Sequence, residues 1–504
     1  MSAAGLGHLL RERATVAGDR PLLRFEGVTT TVAEVEERTN RLANVLRARG
    51  VGRGDRVAVM LPNGAGFPVA WLAVGKLGAV AVPLNVGYRS DDLAHVIGDS
   101  GAVLALAGTA EAALALLGTP VGQVGLLDPA DAGPARRTVP GAFDAGAESA
   151  AASPSFELPP VGPDDLVNLQ YTSGTTGFPK GCMLTHGYWL RLAELAAGLV
   201  RVGPGDVDLT TQPFSYMDPQ WNTVLCLMAG IPLVILPRFS ASTFWRSVRE
   251  EGVTFFYLLG TMPVYLLRQP EDPRDRDHRV RLVLCSGIVA ELHAAFERRW
   301  GAPWREAYGM TETGVDLAVP IDDDTCVGSG AIGVPVPGKH VELVDGEIVV
   351  SGSPMMLGYW NNPEATAERI RDGRLYTGDL GHRDERGHLH LVGRRKDMIR
   401  RGGENIAAAE VEAALTRHPA VRAAAVVAVP DELRGEEVKA FVQVGAAVPP
   451  EELIAFVRER LAGFKVPRFV EYVEEFPMTP SERIAKYLLP TGRDNEYDAR
   501  QEAV

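Results

Sequence analysis

The stretch Tyr171 to His186, YTSGTTGFPKGCMLTH, constrains this chain more than any other. It follows the run Leu166-Val167-Asn168-Leu169-Gln170, which has the character of a buried strand end. It precedes a segment, His186 to Leu199, whose apolar residues recur at helical spacing. The expected local order is a strand, a loop of small hydroxyl and glycine residues, and a helix. Gly174, Gly177 and Gly181 let the backbone turn sharply and approach a ligand closely. Successive N–H groups in such a loop form an anion-binding nest. Thr172, Ser173, Thr175 and Thr176 add hydroxyl donors, and Lys180 adds a mobile positive charge. Polyphosphate suits this chemistry. The loop is not of the Walker type, because Pro179 stands between the last glycine and the lysine.

A second string, Ala307-Tyr308-Gly309-Met310-Thr311-Glu312-Thr313, carries complementary chemistry. Tyr308 offers an aromatic face to a purine. Thr311 can reach phosphate oxygens. Glu312 is a hard oxygen ligand of the kind Mg²⁺ takes beside nucleotide phosphates. Further on, Asp379 in Tyr376-Thr377-Gly378-Asp379 can accept hydrogen bonds from both ribose hydroxyls. The first string resembles the phosphate-binding signature of the adenylate-forming superfamily, which includes acyl-CoA synthetases, adenylation domains and luciferases. The second is also similar to a signature of that family.

The resemblance carries further expectations. The strand Leu282 to Ser286 ends in Gly287, where the family's matching strand end lies against adenine. Tyr308 and Gly309 belong with it to the nucleotide cradle. Arg394, in Gly393-Arg394-Arg395-Lys396-Asp397, joins Asp379 at the ribose, and Lys396 is the hinge between domains. The stretch Ile399 to Ile406 borders a pantetheine tunnel. The strings RGGEN and FKVP are similar to those of crotonobetaine/carnitine-CoA ligases.

Length and pattern agree. A chain of 504 residues exceeds one ordinary core. Strands such as Arg56–Leu61, Ala79–Pro83 and Val103–Ala107 alternate with helices such as Phe67–Leu77, which implies parallel sheets with right-handed crossovers. Thr31 with Glu34 reads as a helix-capping box. Ala145 to Pro160 reads as a surface linker. Val327 to Val350 suggests short antiparallel strands, and Ala407 to Val504 a compact α+β module. The expected fold is α/β. Residues 1–393 form a large domain of parallel-rich sheets with flanking helices and a small β-subdomain. Residues 394–504 form a small mobile α+β domain.

A net charge of −13 argues against nucleic acid or an anionic membrane as partner. Four scattered cysteines suggest neither zinc nor a disulfide framework, and a reduced cytoplasmic setting fits them. No signal-peptide core or membrane anchor is expected. Oligomeric state is not legible.

One motif departs from the family. The usual Pro-x-Thr-x-x-Gly-Lys-Ile string, whose lysine neutralises charge during adenylation, reads here Pro477-Met478-Thr479-Pro480-Ser481-Glu482-Arg483-Ile484, with Lys486 close behind. Arg483 keeps the charge but not the compact ammonium. Tyr216 stands where the family often has a histidine. The expected activity is an ATP- and Mg²⁺-dependent ligase that converts a carboxylic acid to its acyl-AMP, releasing pyrophosphate, and passes it to a thiol such as CoA. The expected catalytic set is Lys180, Thr311, Glu312, Arg483 and Lys486. The two departures motivate one alternative, a diazotase of secondary metabolism that adenylates nitrite for attack by an aromatic amine. The other alternative is a nucleotide-binding, non-catalytic homologue.

Overall fold

The structure is a computed structural model and describes residues 4–135, 137–172, 179–260, 262–394, 397–401, 404–431, 434–478, 484–490 and 496–499. The chain packs as two compact units. One is Met1–His340 with Ser351–Arg374, and the other is Val341–Val350 with Leu375–Val504.

The first unit holds two sheets of mostly parallel strands. One runs in the order Phe143–Asp144, Gln123–Leu126, Leu104–Ala107, Arg56–Met60, Val80–Pro83, Leu166–Thr172, Lys180–Thr185. All neighbours are parallel except the last pair. Leu104–Ala107 and Val80–Pro83 are buried at every residue. Continuous apolar runs of this kind belong to parallel strands covered on both faces. The second sheet contains Trp304–Met310, Leu282–Ser286, Phe255–Leu259, Asp208–Thr210, Leu233–Ile235 and Pro21–Phe25 in parallel. Antiparallel strands flank these at both ends. Its core is aromatic: Trp300 stacks between Trp245 and Trp304, with ring centroids at 5.0 and 5.4 Å.

The second unit contains the antiparallel strands Arg374–Arg383 and Leu389–Arg394. It also contains a mixed sheet built on Gly435–Val444, which pairs with Val421–Asp431 on one edge and Phe469–Tyr472 on the other. The helices Ala408–Thr416 and Pro450–Arg458 bury Val411, Leu415, Leu453 and Val457 in that sheet's core. The expected α/β class, with a separate α+β module toward the C-terminus, is the class found.

Two local expectations are corrected. Lys180–Thr185 is a strand, not loop, so the glycine-rich segment joins two antiparallel strands rather than a strand and a helix. Its second pairing partner comes from far along the chain: Met183 N–H donates to Gly358 O, and Trp360 N–H donates to Gly181 O. The helix starts at His186, with the Thr185 hydroxyl accepting from Tyr188 N–H. The supposed linker begins with a helix, Ala145–Ala151. The Asp144 side chain caps it by accepting from Ala147 N–H, and Ala145 is fully buried.

Candidate active site

Three segments of the first unit converge at the mouth of the strand pair that ends at Thr172 and restarts at Lys180. Thr172 and Lys180 are directly opposed. The segment Met356–Trp360 runs beside the second of these strands, and Tyr359 bridges Cys182 across it. Tyr359 presents its ring to the Lys180 ammonium, with Nζ 5.4 Å from the centroid. Its hydroxyl donates to Glu312 Oε1 at 2.6 Å. Burial first, then the nearby Glu312 charge, pushes the Tyr359 hydroxyl far above the usual phenol range, so it stays a donor.

Glu312 lies in the turn after the strand Trp304–Met310, and its position is held from several directions. Met356 N–H donates to Glu312 O at 2.7 Å. Tyr188, on the helix after Lys180–Thr185, donates its hydroxyl to Thr311 O at 2.9 Å. Beneath the turn, Thr313 Oγ1 donates to Asp316 Oδ2, and Lys339 donates to Thr313 O at 2.6 Å. Asp316 and Lys339 form a fully buried ion pair at 3.1 Å. Gly309 sits at a shift in strand register. A Cβ there would fall 1.9 Å from Gly314 O, so close backbone approach requires glycine.

Gly287 follows the strand beside Trp304–Met310, in the left-handed region at φ +90°. The Glu306 carboxylate clamps the turn: Oε1 accepts from Gly287 N–H at 2.6 Å and Oε2 from Ile288 N–H at 2.7 Å. Burial raises the Glu306 carboxyl to about 7 against these two donors. Ser286 donates to Ala307 O and accepts from the Tyr257 hydroxyl at 2.7 Å, which ties Gly287 to the strand carrying Tyr308. Thr172, Gly287 and Tyr308 thus lie at carboxyl ends of strands that run in parallel with a neighbour, where α/β sheets bind ligands.

In the second unit, Asp379 and Arg394 are cross-strand partners, with Arg394 Nε 3.0 Å from Asp379 Oδ1. Asp379 is 4% exposed. Lys486 is ion-paired with Glu412 at 2.6 Å, and the same carboxylate oxygen accepts from Val426 N–H. Ser173, Gly174, Thr175, Thr176, Gly177, Lys396 and Arg483 lie outside the described residues.

Sequence reasoning missed Tyr359, Tyr188, Glu306 and the Asp316–Lys339 pair. The only local signal for Tyr359 is the cluster Gly358-Tyr359-Trp360 ahead of a helix start, Asn362 at the cap with Pro363 behind it. That pattern predicts the helix and not the contact with Glu312.

Glu312 fits a magnesium ion by donor type. One carboxylate with a hydrogen-bonded oxygen, beside a lysine, is the sparse protein contribution Mg²⁺ takes when phosphates supply other ligands.

The comparisons with known proteins point to the family that the sequence resembles. Residues 10–360 match the family model "AMP-binding enzyme", and residues 410–483 match "AMP-binding enzyme C-terminal domain". The chain is 37% identical to a feruloyl-CoA synthase of Amycolatopsis sp, across 96% of this chain and 98% of that one. It is 32% identical to a crotonobetaine/carnitine–CoA ligase of Salmonella paratyphi B, across 94% and 96%. Among solved structures it superposes on Bacillus subtilis o-succinylbenzoate CoA synthetase in complex with its acyl-adenylate intermediate. There the TM-score is 0.87 at 28% identity, over 97% of this chain and 99% of that one. ATP-bound MatB from Rhodopseudomonas palustris gives 0.85 at 29%, over 97% and 98%. These relatives support the carboxylate reading and lend nothing to the nitrite one. With both family models matched and full-length relatives above 30% identity, the chain belongs to the AMP-binding, adenylate-forming superfamily and is an ATP-dependent ligase of the acyl-CoA synthetase type.

Proposed function

We propose that the chain joins a carboxylic acid to CoA in two half-reactions, with the residues above in the following roles. In the first, a carboxylate oxygen attacks the α-phosphorus of ATP, the bond to the bridging oxygen breaks, and pyrophosphate leaves. The glycine-rich connection from Thr172 through Ser173, Gly174, Thr175, Thr176 and Gly177 cradles the phosphates with Lys180. Tyr308, Gly309 and Gly287 hold the adenine, and Asp379 with Arg394 holds the ribose. Thr311 meets the α-phosphate. Glu312 would hold Mg²⁺, which when bound neutralises phosphate charge. Arg483 balances charge on the acid and α-phosphate. In the second half-reaction the CoA sulfur attacks the acyl carbon, AMP leaves, and the thiol proton passes to solvent. A pivot at Lys396 between the two steps rests on the motif Gly393 to Ile399 alone.

The observation that carries this reading is the meeting of Lys180 and Glu312 on Tyr359, which puts a cation and a hard anion at one loop mouth. Charge neutralisation and positioning of an in-line displacement need that pairing. Among the described residues no helix is long and apolar enough to cross a membrane. The four cysteines are buried and free, which supports a reduced compartment such as the cytoplasm.

The acid itself is open to direct test. Pyrophosphate release from ATP and Mg²⁺ should depend on an added carboxylic acid, in a panel that includes ferulate and carnitine, and CoA should give the acyl-CoA by mass spectrometry. Glu312→Ala should reduce release to background. Release driven by nitrite alone, or undiminished in Glu312→Ala, overturns the reading.

A further inference from the structure

We infer that Tyr359 is a positioning residue that sets the Glu312 carboxylate and the Lys180 ammonium at a fixed separation before nucleotide arrives. The inference rests on the reading that Glu312 holds the cation. Three observations carry it.

First, the side chain has two distinct functions on its two ends. The hydroxyl donates to Glu312 Oε1 at 2.6 Å, and the ring lies 5.4 Å from Lys180 Nζ. Packing alone would need only the ring. A phenylalanine would fill the same volume, so the hydroxyl's contribution is the carboxylate contact. Second, the ring cannot swing away. Tyr359 is 5% exposed, its N–H donates to Thr366 Oγ1 at 2.8 Å, and its backbone bridges Cys182. Gly358 before it sits at φ +143°, where a Cβ would lie 2.7 Å from the Thr366 methyl, which fixes the approach of the chain. Third, the partners need such a guide. Lys180 carries a long flexible stem, and Glu312 is in a turn rather than a regular element. An aromatic face restrains the ammonium, and a hydroxyl selects one carboxylate rotamer. Without Tyr359, each nucleotide bound would have to order both.

The test is Tyr359→Phe, which keeps the ring against Lys180 and removes only the hydroxyl. Calorimetry of ATP binding with and without Mg²⁺ reads the effect apart from turnover. The expected result is that affinity without Mg²⁺ is unchanged while the gain from Mg²⁺ shrinks about 10-fold or more, the usual range for losing an outer-shell partner. The kcat for pyrophosphate release should fall ~10- to 100-fold with the KM for the acid nearly constant. Tyr359→Leu should in addition weaken ATP binding without Mg²⁺, because Lys180 loses its ring. Glu312→Asp, which withdraws the carboxylate and leaves Tyr359 packed, gives a second route to the same loss of Mg²⁺ response should Tyr359→Phe fold poorly. A wild-type Mg²⁺ response and kcat in Tyr359→Phe overturn the inference, provided Glu312→Gln loses that response. If Glu312→Gln also keeps it, the assignment of Glu312 to the cation falls first, and this inference falls with it. In the double variant Tyr359→Phe/Glu312→Gln, the tyrosine substitution should have no further effect.

Discussion

Arg483 stands where most of the family has a lysine, with Lys486 close behind it, and the surroundings of Lys486 give it a task of its own. Lys486 is spoken for: its ammonium meets Glu412 at 2.6 Å, with both side chains half-buried, and Glu412 is further held by Val426 N–H. Removing it breaks a partly shielded ion pair that anchors the residues after Arg483 to the helix Ala408–Thr416. Lys486→Ala should therefore lower thermal stability by about 1 kcal/mol and change adenylation little. Arg483→Ala should slow acyl-AMP formation ~10²-fold or more while nucleotide binding stays near wild type, as for loss of a group that meets charge only in the transition state. Melting curves and burst kinetics on the two variants separate the roles. If Lys486→Ala slows adenylation and Arg483→Ala does not, the roles are reversed and the Glu412 pair must open during the reaction.

The turn Met310 to Gly314 carries Thr311 and Glu312, the residues proposed to meet phosphate and magnesium, and its support is ionic. Asp316 and Lys339 are wholly buried against it and hold Thr313 by side chain and carbonyl. Burial raises the Asp316 carboxyl and lowers the Lys339 ammonium, and each charge of the pair pulls its partner back toward the ionised form. Lys339→Met leaves a buried carboxylate alone and should cost about 3–5 kcal/mol in denaturant unfolding. The double variant Asp316→Leu/Lys339→Met should recover most of that stability yet stay slow in pyrophosphate release, because Thr313 then loses the partners of its hydroxyl and its carbonyl. Recovery of full rate would show that the pair serves folding alone.

None of this support was legible in the sequence, because it is made of contacts between distant segments. What was legible is local. The helix expected over Phe67–Leu77, found at Gly66–Lys76, and the Thr31–Glu34 capping box both follow from spacing within a few residues. Tyr308, Thr311 and Glu312 stood out because their order in one string carries chemistry. Lys180–Thr185 misread as loop because its glycine and proline neighbours signal turns, while its strand character comes from Leu166–Thr172 on one side and Leu357–Trp360 on the other. Ala145–Ala151 misread for the opposite reason. Its alanines are strong helix formers, and the prolines that follow it in sequence masked them.

At the scale of the whole molecule, buried ionisable groups set how stability responds to pH, and two of them pull in opposite directions. His186 starts the helix after the strand Lys180–Thr185 and accepts from Leu6 N–H at 3.2 Å, which docks the N-terminal helix Leu6–Ala17. Burial drops this imidazole to about 4. Between pH 4 and 6.5 the unfolded chain binds the proton and the folded one does not, so stability rises with pH across that window. Asp208 is fully buried, accepts from Leu209 N–H and Asn222 Nδ2 at 2.8 Å each, and is raised by burial to about 8. There the folded state holds the proton that the unfolded state gives up, so stability falls as pH rises from about 4 to 8. The two slopes nearly cancel between pH 4 and 6.5, and the wild-type curve alone conceals both. Single variants expose them. Relative to wild type, His186→Gln should lose stability as pH rises from 4 to 6.5, by about 3 kcal/mol in all. Asp208→Asn should gain on wild type steadily from pH 4 to 8. Above pH 6.5 the histidine contribution is complete, and the fall due to the raised Glu306 carboxyl ends near pH 7, so between pH 7 and 8 the aspartate slope should soften the wild type while Asp208→Asn does not. Urea unfolding at half-unit pH steps measures both differences. Parallel curves for wild type and Asp208→Asn would mean that Asp208 is ionised in the folded protein, held by Asn222 and Leu209 despite its burial.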